Sequence, residues 1–130
     1  MPMGIAGFGL IRSYKADTAI GAGLAIMAGA AVDSVKLTTG ANVRALGVTA
    51  AAVANANDPV SVMELGEVKG VADAPIARGD LVMANAATGK MAPIGAVAGT
   101  NYHTIGIALE AAAAQNDEFA LLVLPSRSQG

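Results

Sequence analysis

Residues 46–63, LGVTAAAVANANDPVSVM, and residues 105–124, IGIALEAAAAQNDEFALLVL, repeat one another in chemical type at almost every position. Each runs apolar, Gly, apolar, then through an Ala-rich connector to an acid, Asp58 or Asp117, and finally into an apolar run rich in strand formers. The offset is about 59 residues, and self-similarity at a fixed spacing is the mark of a duplicated unit. Neither copy carries a group that could do chemistry.

The echo extends upstream. Ile20-Gly-Ala-Gly-Leu-Ala-Ile-Met27 corresponds to Ile76-Ala-Arg-Gly-Asp-Leu-Val-Met83, an apolar residue, a Gly turn, and a strand ending in Met, now at an offset of about 56 residues. Two similar units, near residues 20–65 and 76–124, would share one core, with residues 67–75 as the strand and turn between them.

From Ala16 onward Gly, Asn, Asp and Pro punctuate the chain, leaving short strand-like segments at residues 24–27, 32–37, 45–48, 60–65, 67–71, 81–84, 105–109 and 119–124. Many short strands with frequent turns predict an all-β, β-rich chain, a small compact barrel or sandwich of two similar β units. Gly79-Asp80 and Thr88-Gly89 read as turns, since Gly supplies positive φ without a steric penalty. The Ala-rich runs 50–55 and 110–115 have helical propensity, but six residues are marginal for a helix in water. A turn or one helical turn is expected at each.

Residues 1–15, MPMGIAGFGLIRSYK, show no sustained period and are read as an extended N-terminal arm ahead of a single domain over residues 16–130. Ile5, Phe8, Leu10, Ile11 and Tyr14 are too many large apolar groups for a solvated tail, so the arm is expected to dock on something.

Composition narrows the function. Hydrophobic residues make up 54% of the 130, yet aromatics only 3%, so the core must be built from Ala, Val, Ile, Leu and Met. Ala buries little area, and contacts with other chains are expected to supply part of the stability. The net charge is −2 and the eight Lys and Arg are scattered, which argues against nucleic acid as a direct partner. No Cys is present, which removes disulfides, thiolate chemistry and the common zinc sites. Mean hydropathy is +0.54, but Pro93, Gly95, Gly99, Asn101 and His103 interrupt the one long uncharged window, so no membrane partner is expected. The N-terminal charges follow the apolar residues, the wrong order for a secretory signal.

Catalytic motifs fail one by one. His103 is the single histidine, without the partners of a transition-metal site, and no Ser stands in a Gly-x-Ser-x-Gly turn. Glu64 and Glu67 could pair for glycoside hydrolysis, but no Trp exists to stack a sugar. Gly21–Gly29 lacks the Lys-Ser/Thr of a phosphate loop. The residues therefore point to a structural role with no catalytic residue, metal, cofactor or small-molecule substrate.

The segments Ala77-Arg-Gly-Asp-Leu-Val-Met83, Ala87-Thr-Gly-Lys90 and Ile105-Gly-Ile-Ala-Leu-Glu-Ala-Ala-Ala-Ala114, with the strand that follows from Phe119, resemble the capsid cement, or decoration, proteins of tailed bacteriophages. The resemblance covers about residues 19–124. It implies a β-rich domain, made in the host cytoplasm, that trimerises on the outer surface of an icosahedral head, binds the major capsid protein and stabilises the shell. It implies no catalytic residues. The family usually begins with a short polar lead, whereas this chain has an apolar arm; Phe8, Leu10, Ile11, Arg12 and Tyr14 are accordingly the candidate interaction residues. Rival readings are a tail or head-fibre module, and a small enzymatic or ligand-binding barrel using His103.

Overall fold

The computed structural model describes residues 9–85, 87–95 and 99–129, with side chains to Leu124. The described chain is all-β: β1 (Gly9–Ala16), β2 (Ala25–Ala28), β3 (Ser34–Leu37), β4 (Gly47–Thr49), β5 (Pro59–Val71), β6 (Leu81–Ala84), β7 (Met91–Pro93), β8 (Asn101–Ala108) and β9 (Glu118–Gln129). They form one sheet in the order β1-β3-β2-β4-β5-β9-β8-β6-β7, and β1 also pairs with β5. The second pairing closes β1-β3-β2-β4-β5 into a ring.

The duplication is complete to the level of strand register. Ile26 stands opposite Leu37 and Val82 opposite Pro93; Ala25 opposite Val48 and Leu81 opposite Ile107; Val48 opposite Met63 and Ile107 opposite Leu122. The parallel pair Ala16 and Val35 recurs as the bridge between Ala72 and Met91, which ties β5 to β7 and draws the second unit toward the same ring. Unit 1 is β1 to β4 with the first half of β5, and unit 2 is the second half of β5 with β6 to β9. Positions correspond at an offset of 56 through β3 and β7 (35 and 91) and of 59 from β4 and β8 onward (48 and 107). Three more residues lie between Pro93 and Gly106 than between their counterparts Leu37 and Gly47, which accounts for the change.

β5 serves both units. Val60 and Val62 face the first core and Gly70 the second, so the two strands expected around Gly66 are one strand of 13 residues. Gly66 sits between the halves with φ 130°, a conformation side chains rarely adopt. β1 and β7 are strands that the residue pattern did not indicate. In β1 a bulge between Leu10 and Ile11 breaks the alternation, and the inward positions carry Arg12 and Tyr14 as well as Ala16. The expected strand over 32–37 begins at Ser34, with Val32 fully exposed at the preceding turn.

The Ala-rich connectors are not helical. Val53 exchanges both backbone hydrogen bonds with Ile20 at 2.8 and 3.1 Å, and Ala112 does the same with Ile76 at 2.9 Å each. A turn follows in each unit. Asp58 N–H donates to the Asn55 carbonyl and Asp117 N–H to that of Ala114, whose own N–H is accepted by the Asp117 carboxylate at 3.1 Å. Long-range pairing within the chain thus overrides the propensity of Ala.

Two apolar clusters fill the molecule. One joins Ala16, Ile20, Ile26, Val35, Val60 and Val62; the other includes their counterparts Ala72, Ile76, Val82, Met91, Phe119 and Leu121. The second cluster is larger because Ala25, Val48 and Met63, on the outward face of unit 1, also pack into it. The outside of unit 1 is therefore part of the inside of unit 2.

Candidate functional site

The arm residues divide into two groups. Phe8 lies outside the described residues. Leu10 and Ile11 open β1, which pairs antiparallel with β5 over Gly9–Lys15, so the second half of the expected arm is sheet. Leu10 stands opposite Leu65, and Gly66 opposite Val123, a register whose next step brings Leu65 beside Leu124. Leu10, Ile11, Leu65 and Leu124 are each between 45% and 51% exposed. They form an apolar group across β1, β5 and β9, of the kind that marks a contact surface.

Arg12 and Tyr14 turn the other way and meet Glu64 of β5. The Tyr14 hydroxyl donates to Glu64 Oε2, and Arg12 Nε lies 3.4 Å from Glu64 Oε1. The hydrogen bond to the Glu64 carboxylate, reinforced by burial, raises the Tyr14 phenol above its ordinary range, with Arg12 opposing. The Arg12 guanidinium is raised as well, by Tyr14 first and by the charge of Glu64 second. Where unit 1 has Arg12, Tyr14 and Glu64, unit 2 has Val68, Gly70 and Val123, so the polar trio replaces an apolar end of the ring. Arg12 and Tyr14 thereby tie β1 to β5, with the Arg12 side chain still 64% exposed, and Leu10 and Ile11 lie on the opposite face of the strand.

Leu65 and Leu124 were not indicated by the sequence as contact residues. Each follows an inward residue in an apolar run, and only the pairing of β1, β5 and β9 brings them beside Leu10. His103, the residue on which an enzymatic reading would rest, donates its backbone N–H to Asn42 Oδ1 at 2.8 Å. Among the described residues no group of three or more His, Cys, Asp and Glu could hold a metal ion. Asp73 accepts from Asn85 Nδ2 at 2.7 Å and Gln115 Nε2 at 3.1 Å, a tie between the unit 2 loops. Among the described residues no helix is long and apolar enough to cross a membrane.

Comparison with known proteins accords with this architecture. The chain is similar in structure to the head fibre gp8.5 N base in bacteriophage phi29, with a TM-score of 0.65 at 16% identity, over 93% of this chain and 98% of that one. At that identity the likeness establishes a shared fold. No curated protein matches. The sequence profile described as phage cement protein matches residues 8–124, from the start of β1 to the last exposed leucine of β9. The chain therefore belongs to the phage cement proteins, structural components of the virion carried on the capsid.

Proposed function

We propose that this protein is a decoration protein that binds the outer surface of an icosahedral phage head, contacts the major capsid protein and stabilises the shell, working as a homotrimer. The observation that supports it is the apolar group of Leu10, Ile11, Leu65 and Leu124, half exposed at one place on a chain of the cement family. A cement subunit draws affinity from many weak, symmetric contacts, and apolar groups of this size suit repeated shallow docking. The Arg12–Glu64–Tyr14 trio holds β1 in register with β5 and so presents Leu10 and Ile11.

Residues 1–15 cannot be treated as a detachable arm in testing this, because deleting them removes β1 and opens the unit 1 ring. The appropriate variant is Leu10→Thr with Ile11→Thr, which keeps strand propensity and removes the apolar surface. Mixed with undecorated heads, the wild type should cover the lattice at regular positions and raise the temperature of head disruption, and the double variant should do neither. Equal occupancy by the variant would overturn the contact assignment. Failure of the wild type to bind would overturn the decoration reading.

A second reading, a head-fibre base, is favoured by the likeness to the phi29 head fibre. As a fibre base the protein would anchor material that projects from the head, whereas a decoration protein would lie against the shell. Imaging of assembled heads distinguishes the two.

A further inference from the structure

Asn42 and Asn101 hold corresponding places in the repeat, yet the segments they begin are built differently. In unit 2, residues 101–104 open β8 and run beside β9, with Tyr102 opposite Ser128 and His103 opposite Arg127. In unit 1, residues 42–45 are not a strand and lie across to unit 2, where Val43 and Ala45 pack against the second cluster. The Asn42 backbone N–H donates to the carbonyl of Ala84, the last residue of β6, at 2.8 Å. Its side chain goes to β8: Nδ2 donates to the Asn101 carbonyl at 3.0 Å, and Oδ1 accepts the His103 N–H at 2.8 Å. Turning the amide over would set donor against donor and acceptor against acceptor, so the two bonds together fix its orientation.

These two bonds have the pattern of a neighbouring strand. In a parallel pair, one residue donates to the carbonyl just before its partner and accepts from the N–H just after it. The Asn42 carboxamide does both, on either side of Tyr102, with a single side chain. β6 covers this edge of β8 at Gly106 and Ile107, and among the described residues no strand lies beside Asn101 and His103 on that side. We infer that Asn42 is an edge guard: its carboxamide fills the place at Asn101 and His103 where an extended segment of another polypeptide would pair, and so keeps β8 from templating strand addition. An uncovered edge offers its N–H and C=O groups to any extended chain, and folded proteins block such edges. The position selects asparagine twice over. Its φ of 56° is left-handed, which asparagine and glycine tolerate best. Glycine would keep that backbone and leave the edge bare, while aspartate would have no donor for the Asn101 carbonyl.

The role is independent of the partner proposed above, and it is tested on the full chain with Asn42→Gly. Hydrogen exchange read residue by residue should show the His103 amide exchanging about fivefold faster or more in the variant, the loss of one hydrogen bond. The amide of Ile107, which is paired with Leu122 of β9, should keep its wild-type rate and report that the sheet is intact. Light scattering with thioflavin T staining over a rising concentration series should show open-ended growth for the variant, where the wild type keeps a fixed size. Asn42→Asp retains an acceptor for His103 without the donor for Asn101 and should fall between the two; it carries the same test if Asn42→Gly does not fold. A wild-type exchange rate at His103 in a folded Asn42→Gly would show that the side chain does not hold this edge. Fast exchange at His103 without growth would show that it holds the edge but guards nothing, and either result overturns the inference.

Discussion

Asn57 and Asn116 hold the same position in the two units and adopt the same left-handed backbone, with φ of 69° and 74°. Each sends its N–H 2.7 Å to the carbonyl of the corresponding alanine, Ala16 or Ala72. Asparagine tolerates positive φ better than residues other than glycine, and the bond fastens the turn to the strand that ends the preceding segment. Replacing Asn116 with Ala should cost about 1 kcal/mol, while Asn116→Gly should be neutral within about 0.5 kcal/mol. Urea unfolding of the two variants checks the ordering, and equal losses would show that the side chain, not the backbone conformation, matters.

The repeated glycines Gly47 and Gly106 each lie against the neighbouring strand. A Cβ added at Gly47 would run into the carbonyl oxygen of Met63, and one at Gly106 into that of Leu122, which is the same contact in the two units. Backbone cannot yield as a flexible side chain does. Gly106→Ala should destabilise by about 3 kcal/mol, near the upper end for overpacking, and Gly47→Ala should also destabilise clearly. Thermal melts of the two variants, with the wild type alongside, measure this.

Among the described residues Phe119 is the largest fully buried side chain, and it stands where unit 1 has Val60. Its ring lies against Gly70, where an added Cβ would meet Met91 Cε at 2.7 Å and the ring at 3.3 Å. Phe119→Ala should therefore cost about 3–5 kcal/mol, and Phe119→Val, which installs the residue of unit 1, should cost less than that. Chemical denaturation gives both values.

The Tyr14 phenol is raised by its bond to Glu64. A group whose folded pKa lies above its unfolded value stabilises the fold fully below the unfolded pKa, about 10 for tyrosine, and loses that contribution as pH rises through the folded value. Stability carried by Tyr14 is thus present at neutral pH and lost on the alkaline side. A phenol titration followed by ultraviolet absorbance should show a late-ionising component that disappears in Tyr14→Phe. In Glu64→Gln the component should move to lower pH.

Much of this architecture can be read from residue order. Gly47 and Gly106, the Ala-rich connectors, Asp58 and Asp117 and the apolar runs after them announce a duplicated β unit, because turns and strand alternation are local properties. β1 escapes that reading since its inward residues are Arg12, Tyr14 and Ala16, and a polar inward face makes sense only once Glu64 is known to stand across from it. β7 escapes because its three residues contain Pro93 and are held by partners on β6 and the end of β5.

The same division holds for the contact surface. Leu10 and Ile11 could be suspected from sequence, as large apolar residues in an irregular segment. Leu65 and Leu124 could not be joined to them, being 59 residues apart in the chain and drawn together by long-range pairing on either side of Gly66. Sequence alone determined that this protein is a repeated β scaffold, because strand alternation and local turn chemistry carry that information. Only the tertiary structure decided which apolar residues are core and which are surface: Met63 is buried and its counterpart Leu122 half open because unit 2 covers unit 1, and nothing within the described chain covers unit 2 in the same way.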